Sequence, residues 1–287
     1  MRILEGQIRN MNITSHNENL STDDDVICVT NGDIEVRLAR TVEEIEAGQA
    51  LRYQVFFEEL GANPSDDVKK QSRDFDQFDD ICDHLLAFDN SKKGPDKVVA
   101  TYRLLREEVI NGPEDFYSST EFDLSNLYNE HFRTLIGDRQ LLELGRSCVK
   151  FEYRTNAIMQ LMWRFIARYV DKHKVAYLFG CASMPGVDIE NIKLPLTHLY
   201  HNYKTPDEYN IPAIKSMAED MNYYPADEYD KKAALRALAP LVKGYLRLGC
   251  FVGDGAVIDR IFNSIDVFIL LPIDRLESRY LSLFDDK

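Results

Sequence analysis

Leu141-Leu142-Glu143-Leu144-Gly145-Arg146-Ser147-Cys148-Val149 reads as a buried central strand that carries two opposite charges and a glycine. In strict alternation Glu143 and Gly145 share one face and Arg146 lies on the other. An ion pair within the strand therefore needs a bulge, and Gly145 is the residue that would admit one. A bulged central strand splays from its neighbour and leaves backbone N–H groups able to receive a thioester carbonyl and its developing oxyanion. Glu143 in a desolvated site is then a candidate general base for an amine nucleophile, directly or through water. Arg146 is a candidate for holding a carboxylate or carbonyl oxygen. A purely structural Glu–Arg network accounts for the same residues equally well.

Outward from this strand, the chain reads as alternating strands and helices. Ile34 to Leu38 alternates as a strand, and Thr41 with Glu44 forms a capping box for a helix reaching about Leu60, before Gly61. Gly61 to Cys82 is polar and acidic and reads as an irregular loop. Asp83–Phe88 and Val98–Leu105 form a strand pair joined through Asn90–Asp96. Residues 107–138 lack a sustained period. Residues 155–173 form a helix with Ile158, Leu161, Met162, Phe165, Ile166 and Tyr169 on its apolar side, followed by a strand from Val175 to Cys181. A helix-rich stretch then runs to about Leu248, and Ile265–Leu271 closes as the last strand. The expected fold is mixed α/β, with a helical insertion at about 187–250 in a single domain spanning 34–287. Residues 1–33, rich in Asn, Ser, Thr and Asp, are expected to form a loose arm.

The 287 residues include 34 Lys+Arg against 48 Asp+Glu, a formal charge of −14, which argues against broad binding to nucleic acid. No apolar run approaches the ~20 residues that cross a bilayer, and Met1 is not followed by the apolar core of a secretory signal, so a cytoplasmic protein is expected. Five cysteines without a Cys-x-x-Cys pair fit reduced thiols. No metal site is expected, because no ligand pattern accompanies His198 and His201. His84 and Cys148 invite a Cys–His nucleophile, but no hydrolase spacing surrounds them.

Two stretches reverse the overall acidity. Between Arg146 and Lys174 seven cations face Glu152 and Asp171, a local +5, and Arg164, Arg168 and Lys172 recur every four residues along one side of the helix. Lys231 to Arg247 carries five cations and no acid, with leucines interspersed, and could touch an anionic membrane or pack on the sheet.

Taken together, Leu51-Arg52-Tyr53-Gln54-Val55-Phe56, Asp76-x-x-Asp79-x-x-Cys82-Asp83-His84, Thr101-Tyr102-Arg103-Leu104-Leu105, Glu143 through Val149, Phe179-Gly180-Cys181-Ala182-Ser183 and Lys243-Gly244-Tyr245-Leu246-Arg247-Leu248-Gly249 resemble bacterial ornithine N-acyltransferases of ornithine-lipid synthesis. These haemolysin-like enzymes belong to the GNAT superfamily. The sparser set Arg52, Phe56, Asp76, Asp79, Arg103, Glu143 and Arg146 is also similar to acyl-homoserine-lactone synthases.

The resemblance implies a GNAT-like mixed sheet with splayed strands. It also implies transfer of a (3-hydroxy)acyl chain from acyl carrier protein to the α-amine of ornithine or a similar amino acid. Glu143 would be the base, with Arg146 and His84 as further catalytic candidates. Arg52, Phe56, Asp76, Asp79, Arg103, Ser147 and Cys148 would serve the substrates, and Asp76 and Asp79 would order the loop over the site. Lys150, Arg154, Arg164, Arg168 and Lys172 would dock the acidic carrier. No bound cofactor is implied, and the donor is the carrier's phosphopantetheine thioester: Lys150–Thr155 lacks the Gly-rich loop that cradles the pyrophosphate of coenzyme A. A synthase with another acceptor, or a non-catalytic acyl-carrier or lipid-binding module, would share most of these features. Peripheral contact with the inner membrane is a further expectation.

Overall fold

The computed structural model describes residues 27–276. The start of the expected arm, with residues 1–26, and the stretch after 276 lie outside the described residues. Among the described residues nine strands form one sheet in the order β1-β2-β3-β4-β5-β6-β9-β8-β7. They are β1 Cys28–Asn31, β2 Ile34–Leu38, β3 Asp83–Asp89, β4 Val98–Arg106, β5 Gln140–Val149, β6 Val175–Pro185, β7 Ala218–Glu219, β8 Phe251–Asp259 and β9 Ser264–Pro272. Only β5 and β6 run parallel, and the connection between them is the helix α4, Asn156–Lys172.

Residues on successive positions of one strand serve opposite layers, as the two-residue period requires. Leu85 and Ala87 of β3 pack with Ile158, Leu161, Phe165 and Tyr169 of α4. Leu86 and Phe88 instead meet Ala47 and Leu51 of α1, Val42–Tyr53, on the other face. All six residues expected on the apolar side of α4 are buried. The α4 layer is completed by α5 Lys193–Tyr203, α6 Lys231–Ala237 and α7 Pro240–Leu248, whose Leu196, Leu199, Ala234-flanking Leu238 and Val242 join the same core. The opposite layer adds two short helices, α2 Asp66–Gln71 and α3 Glu130–Ile136, and a run of 3-10 turns through residues 107–128.

Several expectations change. Among the described residues a strand already runs over Cys28–Asn31, ahead of Ile34, and turns back on β2 as an edge strand. The first helix does not run regularly to Leu60: Thr41 caps it through the Glu44 N–H, but Gln54–Glu59 widens into a π-helical turn. The basic stretch 231–247 is two helices broken at Leu238–Ala239, with Leu238 and Val242 in the core and Leu235 and Leu241 exposed. Strand β8 was not foreseen. Gly253 and Gly255 interrupt its alternation, and they are needed where the ladder with β9 slips between Val252 and Ala256; a Cβ on Gly253 would stand 2.6 Å from the Ile211 carbonyl oxygen.

Candidate active site

The expected bulge is present in β5, but the residue that turns the chain is Arg146. Arg103 pairs with Gly145 and Thr101 with Cys148, so Arg146 and Ser147 together oppose the single residue Tyr102. Arg146 has φ +49°, the left-handed region that L residues seldom occupy, whereas Gly145 does not have positive φ. The bulge rotates Arg146 onto the face of Glu143, and both meet Tyr117: Arg146 lies over its ring at 4.7 Å, and Glu143 accepts its N–H at 2.8 Å.

On its other edge β5 leaves β6. The parallel ladder ends at Glu143–Phe179. The next residue of β6, Gly180, passes so close to β5 that a Cβ there would lie 2.3 Å from the Leu144 carbonyl oxygen. A cavity opens at this point between the strands, lined by Leu144, Trp163, Phe179, Gly180, Tyr245 and Ile269.

Arg52, Arg103 and Arg146 meet three carboxylates in a closed ring. Asp74 takes Arg52 Nε at 2.7 Å and Arg146 Nε at 3.2 Å. Asp76 takes Arg146 Nη2 at 3.1 Å and Arg103 Nη1 at 2.5 Å. Asp79 takes Arg103 Nη1 at 3.3 Å and Arg52 Nη2 at 2.7 Å. Every carboxylate thus bridges two guanidiniums, and the charges cancel. Although burial opposes ionisation, Arg52 and Arg103 hold the Asp79 carboxyl below its ordinary range. Asp76 and Asp79 form a capping box at the 3-10 turn Gln77–Asp80, which is how the acidic loop is held over the strands.

Arg52 is wholly buried, not on a surface, and its Nη1 finds no partner among the described residues. Asp74 was not singled out from the sequence, although it lies in the same acidic run and carries two of the ring's six contacts.

The remaining expected residues divide. His84 donates from Nε2–H to the Asp79 carbonyl oxygen at 2.9 Å; burial lowers its pKa, and the imidazole supports the backbone beneath the Arg–Asp cluster. Cys148 pairs across the sheet with Thr101, away from that contact, and burial pushes its thiol up to about 12. The two form no Cys–His couple. Ser147 is half-buried beside the Tyr102 hydroxyl. Phe56 sits on the π-helical turn with its ring edge-on to Phe262 at 5.6 Å.

Glu143 is 3 % exposed and accepts three hydrogen bonds, from Tyr117 N, Ser118 N and Ser118 Oγ. Burial raises its pKa against those bonds. Next to it Cys181 Sγ reaches Ser118 Oγ at 3.5 Å and Glu121 Oε2 at 3.4 Å. Ser118, Glu121 and Asp266 were missed from the sequence, the first two because 3-10 turns leave no period to read.

The basic row is not a free face. Arg168 donates to the Cys28 carbonyl and so ties β1 to α4, and Arg164 and Lys172 also engage other groups of the chain. Arg154 pairs with Glu59, and Lys150 lies 3.8 Å from Asp96. No helix among the described residues is long and apolar enough to cross a membrane.

A parallel strand pair opened beside a bulge, with a central carboxylate and a polar rim, defines an acyltransferase of the GNAT class; residues 51–164 match the family described as Acetyltransferase (GNAT) domain. The chain belongs to the L-ornithine N(alpha)-acyltransferase family. It is 43 % identical over 253 residues to the L-ornithine N(alpha)-acyltransferase of Rhizobium meliloti (strain 1021), covering 88 % of this chain and 84 % of that one. It is 42 % identical over 266 residues to that of Brucella abortus (strain 2308), covering 92 % and 93 %. A solved N-acyl amino acid synthase from uncultured soil microbes aligns over 88 % of this chain and 98 % of its own, with 11 % identity and a TM-score of 0.47.

Proposed function

We propose that the protein transfers a (3-hydroxy)acyl chain from an acyl carrier protein thioester to the α-amine of ornithine, the first step of ornithine-lipid synthesis. The observation that carries the reading is the extent of the kinship, more than two-fifths identity over nearly the whole chain, together with a splayed β5–β6 pair that offers a thioester a polar edge. The phosphopantetheine arm enters between these strands, and the acyl chain widens the small apolar cavity of about 30 Å³ beside Trp163 and Tyr245 as it follows. Backbone N–H groups of β5 beyond the end of the ladder meet the oxyanion of the tetrahedral intermediate.

Glu143 acts as the base through Ser118. Its carboxylate holds the Ser118 hydroxyl as donor, which leaves the serine's lone pairs on the side of Cys181, where they can take the amine's proton as the hydroxyl passes its own to Glu143. The Arg–Asp ring fixes Arg146 and Tyr117 beside this pair. The preference for a carrier protein over coenzyme A rests on the stretch Lys150–Thr155. Thr155 makes no side-chain cap at the start of α4, and Phe151–Tyr153 fills the turn where a glycine-rich cradle would stand.

The cations of that loop and of α4, though paired within the chain, keep a local positive excess that turns this side toward an acidic carrier, and the exposed Leu235 and Leu241 among the cations of α6 and α7 contact an anionic membrane when the lipid product leaves. The test is thiol release from a 3-hydroxyacyl carrier protein with ornithine, the matching acyl-coenzyme A as control donor, and mass analysis of the product. Ornithine-dependent release with an Nα-acyl product is expected; release only with another amine removes the assignment.

A further inference from the structure

Two carboxylates beside the site form no ion pair among the described residues. Glu121, at the end of the 3-10 turn Tyr117–Thr120, is 6 % exposed, and Asp266, on β9 opposite Ser183 of β6, is 5 % exposed. Their oxygens and Cys181 Sγ lie within 4.8 Å of one another. Asp266 accepts the Ser264 hydroxyl at 2.8 Å. Among the described residues Glu121 accepts only the Cys181 thiol, at 3.4 Å, and has no N–H or O–H donor and no ion pair.

A buried carboxylate is ordinarily paired or hydrogen-bonded, since removing it from water is costly otherwise. Burial, with Asp266 nearby, pushes Glu121 up to about 7, and burial pushes Asp266 up to about 6. The cation whose field reaches both is Arg146, and its contacts are spent on Asp74 and Asp76. Asp259, at the start of the β8–β9 turn, adds a further negative charge.

The location supplies the ligand. Cys181 follows Gly180, where the strands part, and its sulfur touches both Ser118 Oγ and Glu121. One thiol therefore separates the hydroxyl at the reacting amine from the unneutralised carboxylate, a span that a short methylene chain covers.

We propose that Glu121 and Asp266 form the acceptor subsite for a second cationic group, the side-chain ammonium of a diamino acid whose α-amine stands at Ser118. The inference rests on the acceptor reading above and refines it. An ammonium seated there offers three N–H donors to two carboxylates that otherwise receive only hydroxyl and thiol hydrogens, and supplies the missing charge. An acceptor with an uncharged side chain of the same length leaves both carboxylates unanswered, and a site built around a buried polar group rejects ligands that cannot satisfy it.

The experiment compares ornithine with norvaline, which lacks only the side-chain amine, in the wild-type enzyme and in Glu121→Gln and Asp266→Asn. The wild type should favour ornithine in kcat/KM by about 100-fold or more. Glu121→Gln should lower kcat/KM for ornithine by roughly 10- to 100-fold, chiefly through KM, while norvaline stays within about threefold, so that the preference collapses. Asp266→Asn should act in the same direction.

Equal use of both amino acids by the wild type overturns the subsite, as does an equal fall in kcat for both in Glu121→Gln, which would make Glu121 a base. Loss of the preference on adding a chelator overturns it in favour of a metal ion. Failure of the acceptor reading looks different: ornithine is then ignored by the wild type, and a preference for lysine over norleucine that Glu121→Gln abolishes would still support the subsite.

Discussion

Ser118 gives both its N–H and its hydroxyl to one oxygen of Glu143, at 2.6 and 2.5 Å. The carboxylate that the sequence offers as base thus has both oxygens engaged, and the proton path proposed above runs through the serine.

Ser118→Ala should therefore lower kcat by on the order of 100-fold, within the range that general base catalysis contributes, with donor KM little changed. The lost hydrogen bond costs about 1 kcal/mol of stability, so the variant stays folded. Glu143→Gln should lose turnover to a similar degree, and the double variant should be no worse than either alone, since the two act as one unit. Steady-state thiol release checks all three; additive losses would separate the residues.

Arg52 has a structural consequence to test. Removing one member of a buried ion-pair set leaves its partners uncompensated, at a cost of about 3–5 kcal/mol. Arg52→Met should destabilise the protein by that order in denaturant unfolding, and Arg52→Lys should recover little, because one ammonium cannot serve Asp74 and Asp79 in the geometry of a guanidinium. A near-neutral Arg52→Lys would show the ring to be dispensable.

Gly180 sets the separation of the strands. A methyl placed 2.3 Å from the Leu144 carbonyl oxygen must push β5 and β6 apart or distort both, and overpacking of this kind costs about 1–3 kcal/mol. Gly180→Ala should raise the donor KM and lower the unfolding midpoint together, measured by kinetics and chemical denaturation on the same preparation.

The raised carboxyls make stability fall with pH. Glu121 goes from an ordinary 4.5 to about 7 in the folded chain, so between those values the native state holds more protons than the unfolded one, and raising pH through the window costs on the order of 2 kcal/mol. Asp266, raised from 3.8 to about 6, acts with the same sign at lower pH. Unfolding free energy should be higher at pH 5 than at pH 8, and Glu121→Gln should reduce that difference by stabilising the protein at pH 8. An unchanged difference in Glu121→Gln would show that this carboxyl is not held as the burial indicates.

What the sequence disclosed follows from period and charge. Strands β3, β4 and β5 and the apolar side of α4 repeat at regular spacing, and the opposite charges in Glu143-Leu144-Gly145-Arg146 announced a bulge. The sequence pointed to glycine as the turning residue, but the left-handed backbone falls on Arg146, where two aspartates and two aromatic rings anchor the side chain. The complete burial of Arg52 could not be read, because helix spacing says nothing of a loop that folds back over it. Glu121 and Asp266 were invisible for a related reason: one lies in aperiodic 3-10 turns, the other in a strand whose buried acid looks like alternation, and only the sheet brings them together.

The ring of three arginines and three aspartates also constrains descent. Its members come from α1, the loop before β3, β4 and β5, stretches separated by up to about ninety positions, yet each answers two others. No position can drift alone without stranding a charge, so lineages should inherit the six together or exchange them in compensated pairs, while the surface around them diverges freely.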